Sequence, residues 1–248
     1  MDSIDIEKPR TFTNSEINRL GERLKIAPLS ADDLKLLDAY RNTFGTVATS
    51  LKNELEGLLG VELTSRPSKS TLSIVAKLNR LSTKLSKIQD IAGLRIVVEN
   101  RLKQDQVLEL IMSQFTDAII KDRRDSPSFG YRAVHLIIEF NGKKVELQIR
   151  TLLQHLWAQL SEVLSETSAP DLKYGVGSDA LRSVLNNLSN DLNEFEISET
   201  LQLKRISLLS IYSLISTNDT NETEIVSKMK ERYIIFIKSV TSKLVKTP

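Results

Sequence analysis

The sequence contains no cysteine and only two histidines, His135 and His155. Disulfides, zinc ribbons and thiol nucleophiles are therefore excluded, and a histidine-rich metal site is implausible. Any bound metal has to be held mainly by oxygen atoms. Because a chain without cysteine suits a reducing compartment, we expect a cytoplasmic protein.

Long apolar runs and several common catalytic motifs are missing as well. No stretch approaches the ~20 apolar residues that a membrane helix needs, and the start MDSIDIEKPR lacks the apolar segment of a signal peptide. The chain has no P-loop, no GxGxxG, no GxSxG and no HExxH. The formal net charge is only +2, so overall charge does not indicate nucleic acid as a partner. We expect no membrane partner.

The spacing of apolar residues predicts that helices and strands alternate, as in an α/β fold. Two helices are expected between Asn14 and about Leu58, with a break at Pro28 and Ser30. Further helices are predicted at Ser73–Leu81 and Gln104–Phe115. Short β-branched runs predict strands at Leu94–Val98 and Ala118–Ile120.

The pair Asn141-Gly142 is the strongest local signal, because it favours a two-residue type I′ turn between antiparallel strands. The flanking strands are predicted at Arg132–Phe140 and Lys143–Thr151. One face of this hairpin is mainly apolar: Val134, Leu136, Ile138 and Phe140 lie opposite Ile149, Leu147, Val145 and Lys143. The other face is polar and mixed, and carries His135, Glu146, Gln148 and Arg150.

The C-terminal part of the sequence is predicted to be helical. A helical stripe runs over residues 153–164, a long helical pattern over 181–215, a polar linker over Thr217–Thr223 and a last helix over Glu224–Val245. The last helix bears six basic residues: Lys228, Lys230, Arg232, Lys238, Lys243 and Lys246. They are explained by a solvated helix face or by a surface for tRNA or another partner. The predicted division is 1–60 (N-terminal helices), 61–200 (core) and 201–248 (helical extension).

Two carboxylates, Asp90 and Glu146, form the candidate metal site. Mg²⁺ prefers oxygen ligands and is commonly held by one or two carboxylates together with phosphate oxygens. Basic residues that could meet those phosphates are Arg66, Lys69, Lys77, Arg80, Arg95, Lys121, Arg123 and Arg124. Taken alone, however, the polar hairpin face has the simpler explanation of a solvated sheet surface. Chance clustering would also explain any two of the cations.

Four motifs in the same order resemble the synthetase domain of RelA/SpoT alarmone enzymes. They are Arg66-Pro67-Ser68-Lys69 with Ser73-Ile74 and Lys77-Leu78, Asp90-Ile91-Ala92-Gly93-Leu94-Arg95, Gly130-Tyr131-Arg132-Ala133-Val134-His135, and Val145-Glu146-Leu147-Gln148-Ile149-Arg150-Thr151. The segments Gln154-His155-Leu156-Trp157-Ala158 and Lys173-Tyr174-Gly175 are similar to single-domain members, the small alarmone synthetases. The resemblance covers about residues 15–200. It implies a nucleotidyltransferase-like fold with a mixed central sheet and flanking helices.

The resemblance implies a pyrophosphokinase that transfers the β,γ-pyrophosphate of ATP to the 3′-hydroxyl of GDP or GTP and releases AMP. This is alarmone synthesis, the chemistry of the bacterial stringent response. In this comparison Arg66, Lys69, Lys77 and Arg95 bind ATP, while Asp90 and Glu146 are the catalytic pair and hold Mg²⁺. Tyr131 stacks on the acceptor base. His135, Gln148 and Arg150 line the acceptor site.

Two departures from the family pattern leave alternatives open. Pro127 and Phe129 occupy positions where most alarmone synthetases carry lysine and asparagine, and the spacing Arg66-x-x-Lys69 is one residue longer than usual. The acceptor is therefore GDP or GTP, an adenine nucleotide, or the 3′ end of tRNA; a catalytically inactive binding protein is the remaining alternative. The His-Asp pair of the family's hydrolases is absent, so we expect no alarmone hydrolysis. The long C-terminal helices could also support a homo-oligomer.

Overall fold

A computed structural model describes residues 11–66, 68–167, 172–211 and 217–246. The helices are α1 (Asn14–Arg23), α2 (Ala31–Leu59), α3 (Thr71–Leu81), α4 (Arg101–Gln114), α5 (Leu152–Thr167), α6 (Asp179–Ile211) and α7 (Thr217–Lys246). The strands are β1 (Thr64–Arg66), β2 (Ala92–Val98), β3 (Ile119–Asp122), β4 (Val134–Phe140) and β5 (Lys143–Thr151). Short 3₁₀ turns form at Leu85–Lys87 and Leu172–Tyr174.

The strands form one mixed five-stranded sheet in the order β1-β2-β5-β4-β3. β1 pairs with β2 in antiparallel register, and Arg66 lies opposite Gly93. The predicted α/β fold is therefore confirmed. By its internal contacts the chain divides into two units: residues 1–96, 115–119 and 136–148 form the first, and residues 97–114, 120–135 and 149–248 form the second.

In the first unit, each N-terminal helix begins at a side-chain cap. The hydroxyl of Thr13 accepts a hydrogen bond from the backbone of Glu16 at the start of α1, and Ser30 does the same for Asp33 at the start of α2. α2 ends at Gly60, whose φ of +65° is the left-handed conformation that favours glycine. The predicted pair of helices, with its break near Pro28 and Ser30, is confirmed.

The hairpin turn of the first unit has the predicted geometry. Asn141 and Gly142 both have positive φ, 47° and 70°, as a type I′ turn requires. The apolar face is buried: Leu136, Ile138, Val145 and Leu147 are all at most 1% exposed. Lys143 lies with its ammonium 4.8 Å from the ring centroid of Phe44, so a cation–π contact joins the hairpin to α2.

The second face of the hairpin is less solvated than an ordinary polar sheet face. Ile137, His135 and Arg150 are buried, whereas Glu146 and Gln148 are partly exposed. Burying an arginine and a histidine is costly unless their polar atoms are paired. Because these charged and polar side chains are buried, this face differs from an ordinary solvated sheet surface.

In the second unit, α5, α6 and α7 pack around a shared apolar cluster. Its buried members include Leu153, Leu156, Trp157, Leu160, Leu185, Leu192, Phe195 and Ile237. Trp157 donates its indole N–H to the backbone carbonyl of Leu185 at 2.9 Å, which satisfies the buried polar atom of that ring. Ile237 of α7 is completely buried, so α7 completes this cluster.

One prediction for the C-terminal region was wrong. The linker expected at Thr217–Thr223 is helical, because α7 begins at Thr217. Polarity favoured a linker, but asparagine, aspartate and threonine are also common in the first turn of a helix. Residues 1–10, Pro67, residues 212–216 of the predicted long helix and the side chains of Lys173 and Lys246 lie outside the described structure. Within the described ranges no helix is long and apolar enough to cross a membrane.

Candidate active site

Three basic side chains contact Asp90 in the first unit, two of them at its carboxylate. Lys69 Nζ donates to Asp90 Oδ2 at 3.0 Å, and Lys77 Nζ donates to Oδ1 at 2.8 Å. Arg66 Nη2 lies 3.4 Å from the backbone carbonyl of Asp90. We call Arg66, Lys69, Lys77 and Asp90 the lysine cluster. Three positive charges against one negative charge leave a net positive site, which suits a polyphosphate.

Local sequence explains how the lysine cluster forms. Ser70 caps α3 by accepting from the backbone N–H of Ser73, and the helix then carries Lys77 two turns from its start. The backbone N–H of Lys69 donates to the carbonyl of Ile91 at 2.6 Å, which ties the loop to the residue after Asp90. Charged groups that are up to 24 residues apart in the sequence are therefore brought together by a few backbone contacts.

Arg41 of α2 supports this loop and was missed by the sequence analysis. Its guanidinium donates to the carbonyl of Lys69 at 3.1 Å and to the hydroxyl of Thr71 at 3.2 Å. It also pairs with Asp38 on its own helix. A lone arginine in an amphipathic helix gives no sequence signal for such a role, because its partners follow about 30 residues later.

The ionisation of the lysine cluster is set by two opposing influences. Burial raises the pKa of Asp90, but the charges and hydrogen bonds of Lys69 and Lys77 outweigh it and lower that pKa to about 2. Burial is also the largest influence on Lys69 and lowers its pKa, aided by repulsion from Arg66 and Lys77 and opposed by Asp90. Asp90 is thus held ionised near neutral pH.

Gly93 lies beside the guanidinium of Arg66, at the distance of ordinary van der Waals contact. A Cβ on Gly93 would lie 3.5 Å from Arg66 Nη2 and 3.9 Å from the backbone oxygen of Glu146. The register also pairs Thr64 with Arg95, so Arg66 and Arg95 are diagonal neighbours on one face of β1 and β2. The predicted ATP-binding residues Arg66 and Arg95 therefore lie on neighbouring strands of the first unit. Lys69 follows β1 in the same unit.

Glu146 and Gln148 are neighbours along one face of β5. Gln148 Nε2 donates to Glu146 Oε2 at 3.0 Å, and both side chains are partly exposed. The amide orients the carboxylate by donating to one of its oxygens. A carboxylate at this position can serve as an oxygen ligand or as a proton acceptor.

In the second unit, Tyr131, His135 and Arg150 form a hydrogen-bonded group that we call the tyrosine cluster. The phenol oxygen of Tyr131 lies 2.8 Å from His135 Nε2 and accepts from Arg150 Nη2 at 3.0 Å. The guanidinium of Arg150 also lies over the tyrosine ring, 5.0 Å from its centroid. Arg150 therefore covers part of the ring on which the family resemblance places the acceptor base.

A clamp from α6 fixes the loop that presents Tyr131. Ser189 donates its hydroxyl to the carbonyl of Gly130 at 2.5 Å, and Arg132 Nε donates to the same Ser189 oxygen at 3.1 Å. Arg132 Nη2 adds a bond to Asn190 Oδ1 at 2.9 Å. Sequence reasoning missed this clamp, because its two halves are separated by nearly sixty residues.

Other predicted cations are engaged elsewhere. Arg124 Nη2 pairs with Asp122 at 2.7 Å and Arg124 Nη1 with Asp105 at 2.5 Å, so it serves an ion-pair network of the second unit. Lys230 of α7 pairs with Glu199 at 2.7 Å, and Lys228 with Glu224 at 2.6 Å. These intramolecular contacts explain part of the basic sequence pattern without a phosphate ligand.

Magnesium is compatible with the residues present, although the protein alone does not form a metal cage. Within the described residues there is no group of three or more histidine, aspartate or glutamate side chains placed to hold a metal ion. Asp90 and Glu146 offer two carboxylates, which matches the small number of protein ligands that Mg²⁺ takes when phosphates supply the rest. Both oxygens of Asp90 accept from lysines, so binding a metal requires those lysines to turn towards phosphate.

Comparison with known proteins places these observations in a family. Residues 66–164 match a region found in RelA and SpoT proteins, a span that contains both clusters. The GTP pyrophosphokinase YwaC of Bacillus subtilis is 35% identical over 148 residues, which cover 50% of this chain and 67% of that protein. The chain belongs to the RelA/SpoT family.

Two further matches define how far the family likeness extends. An uncharacterised protein of Mycobacterium tuberculosis is 32% identical over 179 residues, 69% of this chain, and the match spans 65% of that relative's length. The crystal structure of small alarmone synthetase 1 from Bacillus subtilis, bound to pppGpp, superposes with a TM-score of 0.56 at 23% identity. That match covers 69% of this chain and 98% of the synthetase chain, and it confirms the RelA/SpoT synthetase fold.

Proposed function

We propose that this RelA/SpoT protein is a pyrophosphokinase that moves the β,γ-pyrophosphate of ATP to the 3′-hydroxyl of a nucleotide acceptor. The observation that carries the proposal is the lysine cluster: Lys69 and Lys77 converge on Asp90 with Arg66 beside them. Such a site has the charge for a triphosphate and keeps a carboxylate ionised within it. The name of the Bacillus subtilis relative makes GTP the first acceptor to test.

In this proposal the two clusters bind different substrates. Arg66, Lys69 and Lys77 bind the phosphates of ATP, and Tyr131 with Arg150 positions the acceptor. Arg95 adds a further cation towards ATP, while His135 and Gln148 line the acceptor site. These roles follow from the family motifs, and the hydrogen bonds of both clusters are compatible with them.

In the reaction, the acceptor 3′-oxygen attacks the β-phosphorus of ATP. The bond from that phosphorus to the oxygen shared with the α-phosphorus breaks, and AMP leaves with this oxygen. Glu146 takes the proton of the attacking hydroxyl, and Gln148 orients its carboxylate by a hydrogen bond. Lysine and arginine side chains stabilise the charge that develops on the transferred group. Bound Mg²⁺, held by Asp90 and Glu146, would supply additional stabilisation of phosphate charge.

Pyrophosphorylation of the tRNA 3′ end remains an alternative acceptor reaction. In this alternative the basic residues of the last helix contact the RNA. Two of them, Lys228 and Lys230, form ion pairs within the chain. Fewer of those cations are therefore available for RNA phosphates. Since phosphate contacts make binding fall steeply with salt, salt dependence separates a tRNA acceptor from a free nucleotide.

The test is a transfer assay with the purified chain, Mg²⁺ and γ-labelled ATP. GDP, GTP, ATP and bulk tRNA are offered separately, and AMP is measured alongside the label. We expect label on a free nucleotide with an equal amount of AMP. Glu146→Gln should lower the rate by about 10²-fold or more, because general-base catalysis is typically of that order.

Each outcome of this assay has a definite meaning. Label on tRNA alone would replace the nucleotide acceptor with RNA. An absence of transfer to every acceptor, with nucleotide binding intact, would exclude the proposed chemistry and leave a binding protein. Equal activity of wild type and Glu146→Gln would remove Glu146 from the mechanism.

A further inference from the structure

Arg150 lies between two residues whose backbone atoms are held by buried side chains of the second unit. On one side, Gln104 of α4 donates its amide to the carbonyl of Ile149 at 2.8 Å. On the other side, the backbone N–H of Thr151 donates to Oε1 of Gln154 at 3.2 Å. Gln104, Thr151 and Gln154 are all buried. The backbone on both sides of Arg150 is therefore fixed by side-chain hydrogen bonds.

Thr151 and Gln154 form a capping box at the start of α5. The backbone N–H of Gln154 donates to the hydroxyl oxygen of Thr151 at 3.1 Å, while the backbone N–H of Thr151 donates to the side chain of Gln154. This reciprocal pair satisfies two N–H groups at a helix end that would otherwise lack a partner. The capping box still has two side-chain donors of its own, the hydroxyl of Thr151 and the amide of Gln154.

Glu196 of α6 accepts hydrogen bonds from both of these donors. Its Oε1 accepts from the hydroxyl of Thr151, and its Oε2 accepts from Nε2 of Gln154 at 3.0 Å. Only 1% of Glu196 is exposed, so water does not compete for these bonds. Gln104 also donates to Oε1 of Gln154 at 3.0 Å. One connected network therefore runs from α6 to the carbonyl that precedes Arg150.

The buried carboxylate of Glu196 is costly for the fold. Burial raises its pKa, while the hydrogen bonds from Thr151 and Gln154 and the charge of Arg101 act against that rise. A buried polar network of this kind is often no more stabilising than apolar side chains of similar size. What the network adds is a fixed geometry, because each of its hydrogen bonds has a required direction.

We propose that Glu196 is a positioning residue for the acceptor site, and that it acts by directing the side chain of Arg150. The guanidinium of Arg150 donates to the hydroxyl of Tyr131 at 3.0 Å and lies 5.0 Å from the centroid of its ring. Both contacts depend on the direction of the chain at the end of β5, and Glu196 holds that end through Thr151. The inference rests on the proposed function, which makes Tyr131 and Arg150 part of the acceptor site.

An exchange of Glu196 and Gln154 tests this network without changing the net charge. In Glu196→Gln alone, the amide cannot accept from both Thr151 and Gln154, so one donor loses its partner. In Gln154→Glu alone, two carboxylates face each other where the two side chains now lie 3.0 Å apart. In Gln154→Glu/Glu196→Gln, the amide at position 196 donates to the carboxylate at position 154 and accepts from Thr151. The double variant therefore restores every hydrogen bond of the network.

Kinetics separate a role in acceptor positioning from a role in folding alone. Each single variant should raise the KM for the acceptor about tenfold, as for a lost hydrogen bond to a charged group, and leave the KM for ATP unchanged. The double variant should return the acceptor KM to within about twofold of wild type. A role in folding alone would lower the amount of active protein, and so the apparent kcat, without separating the two KM values.

Glu194→Gln is the matched control for the loss of charge. Glu194 is an exposed glutamate of α6, two residues from Glu196, and its change removes the same charge from the same helix. It should leave both KM values as in wild type. An effect of Glu194→Gln equal to that of Glu196→Gln would attribute the result to charge alone and contradict the network.

A binding measurement makes the same comparison without turnover. The single tryptophan, Trp157, lies against the loop of Tyr131, since a Cβ on Gly130 would be 2.6 Å from its ring. The whole chain is saturated with an ATP analogue that has a methylene group between the α- and β-phosphates. GDP and ADP are then titrated separately while Trp157 emission is recorded. The nucleotide that binds should do so about tenfold more weakly in each single variant and as in wild type in the double variant.

The outcomes distinguish this inference from the proposed function. Unchanged acceptor affinity in both single variants, an equal rise in the KM for ATP, or failure of the exchange to restore affinity would overturn the positioning role, while observed transfer keeps the proposed function. If no acceptor receives pyrophosphate but the loss and recovery of nucleotide binding are observed, the proposed function fails and the positioning role stands. If neither nucleotide binds to the wild type and no transfer occurs, both fail.

Discussion

The lysine cluster and the tyrosine cluster differ in how far apart their parts lie along the chain. Arg66, Lys69, Lys77 and Asp90 are all within 25 residues, and ion pairs join the two lysines to Asp90. Tyr131, in contrast, depends on Arg150 for its hydrogen bond and on Ser189 for the position of its loop. In the proposed reaction, phosphate recognition is thus local in the sequence, whereas acceptor recognition is assembled from distant segments.

This difference suggests which cluster can change with less damage to the fold. Altering the lysine cluster removes charge from a compact segment. Altering the tyrosine loop affects the packing of α5 and α6 as well, since Gly130 lies against Trp157 and Asn186. Exposed side chains of α6 can therefore change with less damage to the fold than the loop itself.

Asp90→Asn should have the largest effect, and it tests whether the lysine cluster acts separately from the tyrosine cluster. It removes the carboxylate on which Lys69 and Lys77 converge, so we expect pyrophosphate transfer to fall by about 10²–10³-fold. Steady-state AMP release measures the loss. Acceptor binding followed through Trp157 should be unchanged, and a parallel loss of that binding would contradict the separation of the two clusters.

Gly130→Ala should have the next largest effect, on stability. A Cβ there would lie 2.6 Å from Trp157, and the residue also has a φ of +83°. We expect the free energy of unfolding to fall by about 2–4 kcal/mol, through overpacking and backbone strain together. Urea denaturation measures it.

Gly142→Ala is the matched control for that change. Gly142 has a φ of +70° but no atom within 4 Å of its Cβ position, so only the backbone strain remains. The expected loss is about 1 kcal/mol. Similar losses at Gly130 and Gly142 would show that the contact with Trp157 is unimportant.

Acid should affect the lysine cluster in a defined pH window. The pKa of Asp90 is lowered in the folded protein to about 2 from an ordinary value of 3.8. Its contribution to stability, about 2 kcal/mol, is therefore complete above pH ~4 and is lost as the pH falls towards ~2. The difference in unfolding free energy between wild type and Asp90→Asn should shrink over that window, and a difference independent of pH would contradict the ion pairs.

Tyr131→Phe should have the smallest effect, and it tests whether the tyrosine cluster serves only the acceptor. It keeps the ring but removes the hydroxyl that joins His135 to Arg150. We expect a rise of about tenfold in the KM for the acceptor, as for a lost hydrogen bond to a charged group, with the KM for ATP unchanged. An equal rise in both constants would show that the tyrosine cluster also serves ATP.

Much of the fold could be predicted from sequence, because its signals are local. Asn141-Gly142 determined the turn, and the alternation on each side of it determined which hairpin residues are buried. Ordered motifs identified the family. The loop and helix that carry Arg66, Lys69 and Lys77 were predicted as well, whereas the convergence of the two lysines on Asp90 was not.

What sequence could not predict involves contacts between distant segments. Arg41 gives no signal that it will support Lys69, and Ser189 none that it will hold Gly130. The polar start of α7 was interpreted as a linker, because composition does not reveal that later residues of the helix pack on α5. In each of these cases, contacts between segments that are far apart in the sequence determined the structure.

The packing of α7 on α5 has a consequence for the order of synthesis on the ribosome. α5 ends at Thr167 and α7 begins at Thr217, so the apolar side of α5 is made well before Ile237 can cover it. At elongation rates of about 5–20 residues per second, this interval lasts several seconds. During that time the side of α5 that packs on α7 is not yet covered by that helix.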